Sequence, residues 1–156
     1  MTTTLAAPAM APDFTIARDG GGHITLRDFR GKKLVLYFYP KADTPGCTQE
    51  SIEFSALRAS FAEIGTEVIG VSADPVKAQD AFKAKHGLTV ALGSDSTHAM
   101  LKAYGVWGEK SMYGKTFMGI VRTTFLIGTD GRIVRVWPNV KVKGHAAAVL
   151  AAAQAI

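Results

Sequence analysis

Cys47 is the single cysteine of a 156-residue chain, and it closes the run Pro40, Lys41, Ala42, Asp43, Thr44, Pro45, Gly46, Cys47 directly after the apolar residues 34–39. An apolar strand that ends in a Pro/Gly turn and passes into a helix sets the thiol in the helix's first turn. There, unpaired backbone N–H groups and the helix dipole favour an anion. The arrangement points to a thiolate nucleophile. A small buried hydrophobe is the competing reading for a free cysteine, and the turn-rich polar setting weighs against it. Thr44 is placed to cap the helix, with Pro45 at the first helical position, and its hydroxyl is also a donor for a departing oxygen. Glu50 follows Cys47 by three residues on the same side of the helix, where a free carboxylate opposes an anionic sulfur. An arginine nearby would resolve this conflict, and Arg122, at the start of a late strand, is the best candidate, although from local sequence alone it reads more often as a surface arginine. Its guanidinium can bond Glu50, favour the thiolate and offer donors to a reacting oxygen. Pro40 terminates the strand.

The elements that must position these groups follow from pattern. Short β-branched and aromatic runs predict strands over 34–39, 67–72, 124–127 and 132–137, with weaker candidates over 14–17, 24–26 and 90–92. Phe54, Leu57, Phe61 and Ile64 share one face of a helix that starts near Cys47 and stops before Gly65. A second helix has Asp74 as N-cap, Pro75 at its first position, Phe82 on its buried side and Gly87 past its end. Asp95 or Ser96 caps a short helix with Met100, Leu101 and Tyr104, and residues 146–156 form a terminal helix. Gly20, Gly21 and Gly22 read as a hairpin turn, and Thr129, Asp130 and Gly131 join two late strands. The stretch 108–119 reads as a loop bordering an entrance or an interface. Two strands that are apolar on both faces and joined by a helix are parallel. With the late hairpin they give a mixed central sheet covered on both sides, a three-layer α/β/α sandwich of thioredoxin-like arrangement.

At 47% hydrophobic content the chain buries the core of one domain, expected over 11–156, with 1–10 as a flexible tail. One thiol allows no internal disulfide, so the chain needs no oxidising compartment and the cytoplasm is the expected location. The N-terminus lacks the features of a secretory signal, and no apolar stretch approaches the roughly 18 residues of a membrane span. A net charge of +5 comes from scattered basic residues, such as Lys32, Lys33, Lys141 and Lys143, and reads as a solvated surface and not a nucleic-acid site. No His, Asp or Glu grouping has metal-ligand spacing, and no glycine motif cradles a phosphate, so no metal or cofactor is expected.

The signature Pro40-x-x-x-Thr44-x-x-Cys47, preceded by Tyr37, Phe38 and Tyr39 and followed by Thr48 and Glu50, resembles the active-site motif of peroxiredoxins. Its wording is similar to the branch of bacterioferritin comigratory proteins, or PrxQ. The likeness extends from Ala11, Pro12, Asp13 and Phe14 to Val140, Lys141, Val142, Lys143, Gly144 and His145, nearly the whole chain. The resemblance implies a thioredoxin-like fold that reduces hydrogen peroxide and organic hydroperoxides without metal or bound cofactor. It makes Cys47 the peroxidatic nucleophile. It further implies that Thr44 bonds sulfur and peroxide, that Arg122 stabilises thiolate and transition state, that Pro40 shields the pocket from water, and that Glu50 orients Arg122.

One departure from that pattern matters. Many PrxQ relatives carry a resolving cysteine five residues after the peroxidatic one, and here that position is Ile52. A Cys47 sulfenic acid must then meet an external thiol, glutathione or a thioredoxin-type protein, in a one-cysteine mechanism. The PrxQ likeness implies a monomer, with a weak dimer as the alternative. Two rival readings fit the same residues. A cysteine hydrolase needs a histidine base, whereas His23, His86, His98 and His145 lie in contexts of surface residues or helix caps. A non-enzymatic peroxide sensor or redox-regulated binding module is separated from an enzyme by multiple turnover.

Overall fold

Residues 34–39, immediately upstream of the Cys47 turn, are buried on both faces of a strand that spans Lys33–Phe38. Alternation sends Leu34, Leu36 and Phe38 into one core cluster and Val35, Tyr37 and Tyr39 into a second on the opposite face. Such a strand has to lie inside a sheet covered on both sides.

In the computed structural model, which describes residues 5–156 and only the backbone of Met112, nine strands and five α-helices are observed. The strands are β1 (Thr15–Arg18), β2 (His23–Thr25), β3 (Lys33–Phe38), β4 (Thr66–Ser72), β5 (Ala91–Ser94), β6 (Trp107–Met112), β7 (Lys115–Ile120), β8 (Thr123–Ile127) and β9 (Ile133–Trp137). The helices are α1 (Pro45–Ala56), α2 (Arg58–Glu63), α3 (Val76–His86), α4 (Ala99–Ala103) and α5 (His145–Gln154). Seven strands form one mixed sheet in the order β2-β1-β5-β4-β3-β8-β9. β3 runs parallel to β4 and β4 to β5, while β8 pairs antiparallel with β3 and with β9. The Val35 face is covered by Cys47, Phe54, Phe61, Phe82 and Val149 from α1, α2, α3 and α5. Met100, Leu101 and Tyr104 of the α4 segment cover the Leu34 face. The layers are those expected.

Several local expectations need correction. Leu57, at φ −97° and ψ 2°, divides the helix expected to run unbroken to Ile64 into α1 and α2. Pro75 is the N-cap of α3, so the helix starts one residue later than expected. Asp74 instead turns its carboxylate to the Ala42 N–H at 2.8 Å and the Ser72 hydroxyl at 2.6 Å. His98 holds the N-cap position of α4, while Asp95 accepts from the Leu101 N–H at 2.8 Å. Residues 108–119 are an antiparallel hairpin, β6–β7, turning at Tyr113 (φ 53°) and Gly114 (φ 75°). Of the tail expected over 1–10, residues 1–4 lie outside the described residues. The rest is tied down: Ile133 N–H donates to Ala9 and Ala11 N–H to Gly131, at 2.8 and 3.0 Å, and Leu5 packs against the core. Among the described residues no helix is long and apolar enough to cross a membrane.

Candidate active site

The turn leaving β3 is held by side chains from two directions before it reaches the sulfur. Tyr37 stacks on Phe54 of α1 with centroids 4.6 Å apart and donates its hydroxyl to Ser51 of the same helix at 2.9 Å. Tyr39 donates to Gln79 of α3 at 2.5 Å. Full burial of one such ring contributes about 1.5–3 kcal/mol, so α1 is clamped to the end of β3. Within the turn, Asp43 sits at φ 63°, and its carboxylate accepts from Lys85 and pairs with His86, each at 2.8 Å. Pro40 and Thr44 are half-buried in this turn.

Pro45 opens α1 at its first position, which puts Cys47 in the first turn as expected. The sulfur is buried, with 1% of Cys47 exposed, so the polar character of the turn does not keep it at the surface. Arg122 lies between β7 and β8 and reaches both of its expected partners. Nη1 donates to Glu50 Oε1 at 2.7 Å, and Nη2 donates to Cys47 Sγ at 3.3 Å. Gly46 makes this approach possible, because a Cβ at that position would lie 3.1 Å from Arg122 Nη2. That requirement is invisible in the sequence, where Gly46 reads only as turn chemistry.

Glu50 is 1% exposed, and its second oxygen, Oε2, has no hydrogen-bond partner. Burial pushes its carboxyl up to about 7, although the charge and hydrogen bond of Arg122 pull the other way and Glu53 adds to the rise. Burial opposes the Arg122 charge, but Glu50 and Cys47 outweigh it and hold the guanidinium's pKa above the ordinary arginine value. One carboxylate, one guanidinium and one thiol thus share a nearly dry space, where hydrogen-bond donors act strongly on an anion.

Thr44 differs from its expected role. It holds the N-cap position by backbone conformation, but its side chain makes no capping bond and instead donates to the Lys41 carbonyl at 2.8 Å. His145, expected at the surface or as a cap, is buried at the start of α5. Its Nε2 lies 2.8 Å from Thr124 Oγ1, with Phe54 and Trp137 edge-on to its ring. Burial, then the positive charge of Arg122, pushes its imidazole down to about 4, so it is neutral behind the site. His86 is bound to Asp43 and His98 stacks on Trp107 at 4.0 Å. Ile52 is exposed on α1. Among the described residues no three His, Cys, Asp or Glu side chains group to hold a metal ion.

A mixed sheet with helices on both faces and a buried thiol in the first turn of α1 defines a thioredoxin-like thiol protein. Comparison with known proteins narrows the class. Residues 8–136 match the AhpC/TSA family. The chain is 48% identical to peroxiredoxin Bcp of Xanthomonas campestris over 151 residues, 97% of this chain and 94% of that protein. A solved structure of peroxiredoxin Q from the same organism superposes with a TM-score of 0.88 at 45% identity, covering 99% of this chain and 97% of that one. A trapped intermediate/ligand complex of the X. campestris bacterioferritin comigratory protein, determined for its alkyl peroxide reduction activity, superposes with the same score at 44% identity, covering 99% and 98%. The chain belongs to the AhpC/TSA family and, within it, to the Bcp/PrxQ peroxiredoxins, which are thiol-dependent peroxidases.

Proposed function

We propose that the chain reduces hydrogen peroxide and organic hydroperoxides through Cys47 alone, with an external thiol completing the cycle. The observation that carries this reading is the Arg122 bridge, 3.3 Å from Cys47 Sγ and 2.7 Å from Glu50 Oε1. Alkyl peroxide reduction, described for the X. campestris relative, fits the same chemistry.

In this mechanism the Cys47 thiolate attacks the terminal oxygen of ROOH. An S–O bond forms, the O–O bond breaks, and the departing RO⁻ takes up a proton to leave as ROH. Charge flows from sulfur to the leaving oxygen, so a donor fixed beside both stabilises the transition state more than the ground state. Arg122 fills that role, and Glu50 fixes the plane of its guanidinium. Thr44 keeps its hydroxyl proton on Lys41, which leaves the oxygen's lone pairs to accept from the peroxide O–H. Pro40 limits water at the mouth of the turn.

The resulting sulfenic acid is reduced by one external thiol to a mixed disulfide with release of water. A second thiol then releases the Cys47 thiol and an external disulfide. The single cysteine leaves no internal route. Glutathione and a thioredoxin-type protein are the proposed donors, residues 11–156 act as one catalytic domain, and the enzyme works as a cytoplasmic monomer. The deciding experiment measures peroxide consumed per Cys47 with either donor. Many equivalents are expected, whereas a halt at one equivalent with both donors supports a peroxide sensor or a redox-regulated binding module.

A further inference from the structure

Lys110 stands in β6 opposite Phe117 of β7, yet its side chain does not remain above its own pairing position. β7 has no side chain at Gly119, where a Cβ would lie 3.0 Å from Lys110 Cδ. Through this gap the lysine stem crosses the ladder diagonally and donates from Nζ to the Ile120 carbonyl at 2.9 Å. Ile120 is buried and precedes Arg122 by two residues, and the intervening Val121 N–H is tied to Val106 at 2.8 Å. The ammonium is therefore anchored at the root of the segment that delivers Arg122.

Lys110 is half-buried, and among the described residues no carboxylate forms an ion pair with it. Burial and then repulsion from Arg122 draw its pKa down, while attraction to Cys47 acts in the opposite sense. The ammonium, held on Ile120 O two residues before Arg122, thus lies at the base of the segment whose Nη2 reaches Cys47 Sγ at 3.3 Å, on a partly desolvated stem where screening is weaker than at an open surface.

We infer that Lys110 is the second cation of the Cys47 site, a positioning residue that braces the strand end bearing Arg122 and whose charge draws anionic reactants toward the sulfur. On the peroxidase reading, on which its biological role rests, the reactant that benefits is the thiolate form of the external reductant. Lysine suits the task because its stem fills the groove over Gly119 while its charged end keeps a polar partner. Methionine preserves the stem and removes the charge.

The test compares the rates at which reduced Cys47 is alkylated by iodoacetate, an anion, and by iodoacetamide, its neutral counterpart. It uses the full chain as wild type, Lys110→Met, Lys110→Arg and Gly119→Ala. The iodoacetate-to-iodoacetamide ratio is expected to fall about threefold to tenfold in Lys110→Met and in Gly119→Ala, to persist in Lys110→Arg, and in the wild type to shrink as salt rises. A general loosening of the hairpin alters both rates together and leaves the ratio unchanged. An equal ratio in wild type and Lys110→Met overturns the inference. If Lys110→Met does not fold, Gly119→Ala against Lys110→Arg decides on the same ratio. The readout involves no peroxide, so a chain with the Lys110-dependent ratio and no peroxide turnover refutes the peroxidase reading alone. The reverse outcome refutes only the role of Lys110.

Discussion

The two ends of β3 present opposite kinds of concavity. Beyond its N-terminal end lies a cleft of about 420 Å³, bordered by Met10, Arg27, Arg30, Lys32 and the turn at 128–131. Beyond its C-terminal end the buried thiol and carboxylate of Cys47 and Glu50 meet the guanidinium of Arg122, whose side chain is only 18% exposed. The roomy end carries charges that water already solvates, and the cramped end carries charges that must satisfy one another. Volume is the usual first guide to a ligand site, and here it points away from the chemistry. Displacement at a peroxide needs one oriented donor and little water more than it needs space.

Cys47→Ser is the most drastic way to test the contrast. Peroxide consumption should vanish while the circular dichroism spectrum stays unchanged, and residual turnover would move the activity elsewhere in the chain. Arg122→Ala removes the donor. Stopped-flow oxidation should slow by about two to three orders of magnitude. Stability should fall by roughly 3 kcal/mol, because Glu50 is left buried without its partner. Normal oxidation in that variant would detach Arg122 from the reaction. Gly46→Ala is subtler, since its new methyl displaces Arg122 by only a few tenths of an ångström. A rate loss of about tenfold is expected, and a rate equal to wild type would show that the guanidinium tolerates displacement.

The same end should also announce itself in the pH dependence of stability. His145 is held below its ordinary value, so its contribution is present above about pH 6.5 and is lost as pH falls through about 4. Glu50, raised by burial, has the opposite sign: its contribution is complete below about pH 4.5 and is lost as pH rises through about 7. His145→Gln isolates the first effect. Its stability deficit in urea denaturation should shrink by roughly 2 kcal/mol between pH 7 and pH 4.5, and a constant deficit would mean that His145 is not titrating in a buried site. The smallest effect belongs to the opposite end. Arg30→Ala should change oxidation less than about twofold and stability by less than about 0.5 kcal/mol, and a larger kinetic change would reopen the cleft as a functional site.

Legibility in the sequence divided along similar lines. The central strands and the first helical position at Pro45 were readable because each depends on neighbours in the chain, through apolar runs and turn residues. The β6–β7 hairpin was not. Most of its described side chains are exposed, so no buried-face alternation marks its strands, and its turn uses Tyr113 before Gly114 in place of the usual Asn-Gly or Asp-Gly. His145 reads as a surface or cap residue for another reason. Its local setting is a polar turn after Lys143 and Gly144, whereas its burial comes from Phe54, Trp137 and Thr124, each distant along the chain.

By itself the amino-acid sequence determined that a lone thiol would begin a helix after a buried strand, and that no second cysteine could resolve it. Both follow from composition and short-range backbone preference. Only the tertiary structure decided that Arg122 crosses from the β7–β8 junction to Cys47 over Gly46, that Thr44 turns to Lys41, and that Lys110 lies across Gly119. Those outcomes depend on how β8 pairs with β3 and how the hairpin folds back on itself, which bring together side chains whose separation along the chain carries no local signal.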